Sequence, residues 1–170
     1  MNLTDFIRSV PDFPIPGILF RDITPLLGDA GAFQVALDEL ESVTRPAEPD
    51  VIVGIESRGF LFGAPLADRM GLPFVPVRKR GKLPAGKISV EYSLEYGNNH
   101  LDIHEDAMDA GHRGFIIDDL LATGGTARAT AKLVKLVGGV VAGFGFLVEL
   151  SELRGREALA EYSVSSIIRY

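Results

Sequence analysis

The sequence contains no cysteine, and none of its apolar runs approaches the length of a bilayer. Without cysteine there is neither a disulfide framework nor a thiolate metal site, and a reducing cytoplasm is the simplest home. Apolar stretches such as Phe144–Val148 and Phe115–Ile117 fall far short of the ~20 residues a membrane-spanning helix needs. The opening MNLTDFIRSV carries charges where a secretory signal needs apolar residues, so no secretion signal and no membrane partner are expected. The pattern GxxxxGK[ST] is absent, which excludes a P-loop. Gly143-Phe-Gly145 lacks the third glycine of a dinucleotide fingerprint. His100, His104 and His112 have no metal-ligand spacing and no cysteine company, so all three are read as structural or exposed.

Excess positive charge is also lacking. The formal net charge is −6, which argues against a nucleic-acid partner bound by the surface as a whole. The cations present are clumped, however: of 17 Lys and Arg, five (Arg78, Lys79, Arg80, Lys82 and Lys87) fall within ten residues. One concentrated cationic segment on an acidic chain suits a small polyanion, although a solvated basic turn would look the same. At 170 residues and 46 % apolar content, a single domain over residues 1–170 with one core is expected.

Hydrophobic periodicity sets the element order. Leu3, Phe6, Ile7 and Val10 follow helical spacing that Pro11 stops. Pro11–Gly17 must be extended, and Ile18-Leu19-Phe20 reads as a short strand. Asp29 can cap a helix whose stripe is Phe33, Ala36, Leu37, Leu40 and Val43. Buried strands are then predicted at 51–55, 74–77, 101–104, 114–117, 140–150 and 163–168, with helices at 60–70, ended by Gly71, and 126–137. Continuous apolar strands alternating with amphipathic helices predict an α/β fold with a mostly parallel central sheet flanked by helices. Ligands of such sheets bind beyond the carboxyl ends of the strands.

The residues after those strands carry the chemistry. Gly114–Ile117 runs into Asp118-Asp119, and then Ala122-Thr123-Gly124-Gly125-Thr126 opens a helix. Backbone N–H groups and two hydroxyls at a helix N-terminus suit a phosphate. Gly124 and Gly125 let the main chain approach it closely. Adjacent acids repel unless something offsets them, as vicinal sugar hydroxyls or a hydrated cation would. After the strand 51–55, Glu56-Ser57-Arg58-Gly59 offers amides and a guanidinium fork, which suit a diphosphate. The segment from Arg78 to Tyr92, with Gly81, Pro84 and Gly86, is expected to form a mobile lid.

The segment IIDDLLATGGT resembles the phosphoribosyl-diphosphate loop of the type I phosphoribosyltransferases. Residues 13–27, Gly54–Phe60, Val77–Pro84, Ser93-Leu94-Glu95-Tyr96-Gly97 and Phe146–Leu150 extend the likeness from about residue 5 to the C-terminus. The first and fourth of these segments point to the adenine phosphoribosyltransferase branch. The resemblance implies that fold, with a small N-terminal hood and a flexible lid loop. It implies transfer of the 5-phosphoribosyl group from 5-phosphoribosyl 1-diphosphate to N9 of adenine, giving AMP and diphosphate, in a homodimer. Mg²⁺ would arrive on the substrate, with no ligand directly from the protein.

The same likeness distributes roles. Asp118, Asp119 and Ala122 to Thr126 would hold the ribose and its 5′-phosphate. Ser57, Arg58, Arg78, Lys79 and Lys82 would meet the diphosphate, with Arg58 also catalytic and Arg78 a candidate to reach a neighbouring subunit. Leu19, Phe20 and Arg21 would receive adenine, and Glu95 would be the catalytic carboxylate beside its imidazole edge. Tyr96 is left between a place over the ribosyl site and a place in the core. Two other readings stay open here: a non-catalytic purine-responsive regulator, and an enzyme for a 6-oxopurine or a pyrimidine.

Overall fold

The structure, a computed structural model, describes residues 1–94 and 97–170. The chain divides into two compact units, Met1–Glu39 and Leu40–Tyr170.

In the first unit a 3-10 turn, Leu3–Phe6, precedes strand β1 (Arg8–Pro11), which pairs antiparallel with β2 (Leu19–Asp22). The helix expected from Leu3 to Val10 is therefore corrected to one turn and a strand. The Ile7 N–H closes the turn on the Thr4 carbonyl at 3.2 Å, and Val10 then pairs with Phe20. A strand partner outweighs four residues at helical spacing. The connecting loop has Asp12 at φ 56°, a cis Phe13–Pro14 bond, and the Gly17 N–H donating to Asp12 Oδ1 at 2.8 Å. A short helix α1 (Thr24–Gly28) follows, with Pro25 in its first turn, where no intrahelical donor is needed. The boundary between the units falls inside α2 (Ala30–Thr44). Asp29 caps α2 as expected, its Oδ1 accepting the Ala32 N–H at 2.8 Å. Ala36, Leu37 and Leu40 of the expected stripe are buried, joined by Ala32, while Phe33 and Val43 are only half-buried.

The second unit is a seven-stranded sheet: β3 (Val51–Ile55), β4 (Phe74–Lys79), β5 (Lys87–Leu94), β6 (Gly97–His104), β7 (Arg113–Leu121), β8 (Val140–Glu149) and β9 (Val164–Arg169). The spatial order is β5-β6-β4-β3-β7-β8-β9. Pairing is parallel from β4 through β9, and β6 is antiparallel to both β4 and β5. Every residue of the central β3 is buried, as a continuous apolar run requires. Helices α3 (Arg58–Met70) and α4 (Gly125–Leu136) follow β3 and β7 directly. Gly71 ends α3 at φ 66°, where its N–H reaches the Ala67 and Asp68 carbonyls.

Two expectations are corrected here. Of the segment drawn as a lid from Arg78 to Tyr92 only residues 80–86 lie between strands, because β4 runs to Lys79 and β5 begins at Lys87 and pairs along its length with β6. Ile88, Val90 and Tyr92 are its more buried positions, a period-two pattern that the neighbouring glycines and proline obscure. The basic turn is fastened to this hairpin by the buried Asp102, which accepts from Ser89 Oγ at 2.6 Å and from the Gly81 N–H at 3.1 Å. Strand β7 also outlasts the predicted Ile117, since pairing with β8 continues to Leu121 opposite Glu149. Asp118 and Asp119 consequently sit on strand backbone, which fixes their directions more firmly than a turn would.

Glu149, buried at the end of β8, ties the C-terminal region to the sheet. Arg156 donates to it from Nε at 2.8 Å and from Nη2 at 2.9 Å, and Arg169 lies 3.5 Å away. Burial alone would raise the Glu149 pKa, but the bonds from Arg156 and Ser166 and the two guanidinium charges prevail and leave it below the ordinary 4.5. The folded state therefore holds this proton less tightly than the unfolded chain does. Its contribution to stability is complete above the unfolded value and is lost as pH falls through the lower folded one. Chemical denaturation of Glu149→Gln should give a large deficit against the wild type at neutral pH, narrowing on acidification to pH about 3. A deficit that stays constant with pH would mean that the pair is not ionic in its effect.

Candidate active site

Beyond the carboxyl ends of β3, β4 and β7 lies a cavity of about 720 Å³ within the second unit. Its floor is built from two chain turns and an acidic pair on β7, whose geometry follows from local chemistry.

The first turn leaves β3 through a cis Glu56–Ser57 peptide and enters α3 at Arg58. The Glu56 carboxylate points back onto β4, accepting the Lys79 N–H at 2.9 Å and the Arg78 Nε at 3.2 Å. Burial raises the Glu56 pKa, yet the Lys79 and Arg78 hydrogen bonds and charges outweigh it and hold the group below 4.5, so it stays anionic near neutrality. Glu56 thus braces the turn and the basic segment against each other.

The second feature is the acidic pair. Arg58 Nε stands 2.6 Å from Asp119 Oδ2, and the Asp119 N–H donates to Asp118 Oδ1 at 2.8 Å. The Asp118 carboxyl is pushed well above its usual range, first by burial and then by the Asp119 charge, with the Asp119 N–H and Arg58 pulling the other way. One guanidinium is too little for two acids. Hydroxyl donors or a further cation brought by a ligand would complete the balance.

The other turn joins β7 to α4. Gly124 adopts φ 85° and ψ 0°, a conformation that other residues rarely accept. A Cβ there would lie 2.6 Å from the Gly155 carbonyl oxygen, and one on Gly155 would lie 2.4 Å from that of Ala122. The loop is therefore seated directly on the backbone of the 3-10 segment Gly155–Leu159. The Gly124 carbonyl accepts the Arg128 N–H at 2.9 Å, while the first N–H groups of α4 have no partner within the helix. Those donors, the Thr123 and Thr126 hydroxyls and the helix dipole form an anion cradle.

Ser57, Arg58, Lys79, Asp118, Asp119, Ala122, Thr123, Gly124, Gly125 and Thr126 all line this one cavity. Arg78 is turned onto Glu56 of its own chain, and its Nη1 donates to the Lys82 carbonyl at 3.3 Å; neither residue is part of the lining. Leu19, Phe20 and Arg21 lie on β2 of the first unit, where Phe20 meets Phe13 edge-on at 5.1 Å and Arg21 donates to Ser9 Oγ at 2.6 Å. Glu95 and Tyr96 lie outside the described residues. The sequence reading missed Glu56 as a brace, gave no place in the site to Tyr92 and Asn98, and read His100 as structural or exposed, whereas all three line the cavity. Tyr92 could have been found from its phase with Val90 and Ile88.

The donor set also bears on magnesium. No three His, Asp or Glu side chains converge as a metal cage among the described residues. The cavity instead offers the Asp118 and Asp119 carboxylates beside an anion cradle, with Glu56 turned onto β4. That combination suits a hydrated Mg²⁺ held chiefly by the oxygens of a bound phosphate compound.

The chain is similar to known proteins over nearly its whole length. The family model described as a phosphoribosyl transferase domain matches residues 32–168. An adenine phosphoribosyltransferase from a Synechococcus species is 54% identical, covering 100% of this chain and 99% of its own. The crystal structure of adenine phosphoribosyltransferase from Thermoanaerobacter pseudethanolicus is 52% identical, with a TM-score of 0.96 over 99% of this chain and 98% of that one. The Saccharomyces cerevisiae enzyme, complexed with an imino-altritol bisphosphate and adenine, is 40% identical, with a TM-score of 0.91 over 97% and 96%.

Proposed function

This chain belongs to the phosphoribosyl transferase family, in its adenine phosphoribosyltransferase branch, and we propose that the cavity lined by Arg58, Asp118, Asp119 and Ala122 to Thr126 is where it acts. The reaction of that branch is its function: transfer of the 5-phosphoribosyl group from 5-phosphoribosyl 1-diphosphate to N9 of adenine, with AMP and diphosphate as products. The observation that carries the site assignment is one cavity floored by both an anion cradle and an acid pair whose Asp119 is held by Arg58.

The 5′-phosphate accepts from the first amides of α4 and from the Thr123 and Thr126 hydroxyls. The vicinal ribose hydroxyls donate to Asp118 and Asp119, supplying the positive edge that this pair lacks. The bond from the anomeric carbon to the diphosphate oxygen breaks with its electron pair on the diphosphate. Arg58, the Ser57 hydroxyl and Lys79 face that departing charge. Arg78 near the end of β4 and Lys82 in the turn after it add positive potential beside it. Mg²⁺ carried by the diphosphate supplies further charge neutralisation on the leaving group. As the sugar gains cationic character the paired aspartates favour it electrostatically, and adenine N9 bonds to the opposite face. The proton shed from the imidazole ring passes to Glu95, the role that the family likeness implies. Leu19, Phe20 and Arg21 serve the base by the same likeness. The working assembly is a cytoplasmic homodimer.

Crystals soaked with AMP test the assignment. The phosphate is expected against the N–H groups of residues 122–126, with both ribose hydroxyls on Asp118 and Asp119. AMP bound anywhere else would overturn the site while leaving the family standing.

A further inference from the structure

The hairpin strand β5 brings to the anion cradle a tyrosine, Tyr92, whose hydroxyl has no assigned task. Tyr92 OH lies 3.3 Å from Thr126 Oγ1, with Thr126 donating in this structure. The Tyr92 ring packs along Gly125, so that a Cβ there would stand 3.8 Å from it. Tyr92 lines the same cavity as the cradle, and along the chain it stands three residues before Glu95. We propose that Tyr92 is a positioning residue for the cradle: its hydroxyl orients that of Thr126 toward the 5′-phosphate, and through that bond a filled cradle holds β5 in place. This rests on the reading that residues 122–126 take the 5′-phosphate.

The argument is one of donor accounting. Each hydroxyl has one proton to give and lone pairs to accept with. A phosphate dianion only accepts, so Thr126 must turn its proton from Tyr92 to the ligand. Tyr92 can then reverse the bond by donating to the vacated Thr126 oxygen. The result is a chain in one direction, from Tyr92 through Thr126 to phosphate, in which each bond polarises the next. A threonine in the first turn of a helix otherwise has other staggered positions open to its hydroxyl. The tyrosine holds the one that faces the cavity. Among the described residues no hydrogen bond links Tyr92 to the diphosphate end of the site, so the effect should be confined to one end of the substrate.

Calorimetric titration with ribose 5-phosphate and, separately, with diphosphate tests this. Tyr92→Phe removes the hydroxyl and keeps the ring. It is expected to weaken ribose 5-phosphate about three- to tenfold, the span of one hydrogen bond, while leaving diphosphate affinity unchanged. In a Thr126→Ala background the same change should cost nothing further, because the relay is already cut. In a Thr126→Ser background, which keeps a hydroxyl, the penalty should return. Unchanged ribose 5-phosphate affinity in Tyr92→Phe, or equal losses for both ligands, would overturn the relay and leave the cradle standing. If the wild-type protein itself failed to bind ribose 5-phosphate, the cradle reading would fall and the relay with it.

Discussion

Arg58→Ala is expected to lower kcat/KM for phosphoribosyl diphosphate by about 10²–10³-fold, the usual loss when one donor to a developing anion is removed. Two effects act together. The departing diphosphate loses a guanidinium that projects from the first residue of α3, where the helix N-terminus already favours negative charge. Asp119, only 5% exposed, also loses the partner held at 2.6 Å. Two acids on adjacent strand residues then have no cation between them, and one must take up a proton or swing away from the sugar. Arg58→Lys separates the two contributions. It restores charge near Asp119 but not the planar fork, so substrate binding should recover more than turnover does. Steady-state kinetics over a range of phosphoribosyl diphosphate concentrations reads both variants. A near-wild-type rate for Arg58→Ala would remove this residue from the site altogether.

How far such a site can be read from sequence depends on the range of the forces that build it. The cradle was legible because its causes are local: Gly124, Gly125 and two hydroxyl residues open α4 immediately after an apolar strand. The sheet was legible for a similar reason, since β3, β7 and β8 carry uninterrupted apolar runs that few other structures can use. The Arg58–Asp119 contact was not. Those residues are joined only because β3 and β7 are parallel neighbours, with Gly54 opposite Ile117. The same holds for Glu56, an ordinary helix-start acid in sequence, whose carboxylate finds Arg78 and Lys79 across the β3–β4 pair. The β5–β6 hairpin was hidden by composition: lysines and glycines around Lys87 suggested a loop, while pairing with β6 supplied what the residues lack in propensity. The N-terminal turn failed in the opposite sense, with helical spacing present and a strand partner prevailing.

Gly124→Ala should be as damaging as Arg58→Ala, although it adds one methyl group and removes no charge. The backbone there sits at φ 85°, which costs a residue bearing Cβ about 1–2 kcal/mol before any contact is counted. The added carbon would also lie 2.6 Å from the Gly155 carbonyl oxygen and 2.9 Å from the Ala158 Cβ. Gly155 has little room to give, since it is buried and packed against the Ala122 carbonyl and the Leu121 side chain. The loop must therefore lift, and the amides of residues 124–126 move away from the phosphate they are proposed to meet. A displacement of about 1 Å at a positioning site commonly costs about 10²-fold in rate, and most of it should appear as a raised KM for phosphoribosyl diphosphate. Arg58→Ala is expected instead to depress kcat strongly, because its charge acts on the leaving group as the bond breaks. The two variants thus probe the two ends of one substrate. Thermal unfolding with and without ribose 5-phosphate supplies the second measurement: Gly124→Ala should melt earlier and gain little from the ligand. Full ligand stabilisation in that variant would show that the phosphate does not depend on this loop.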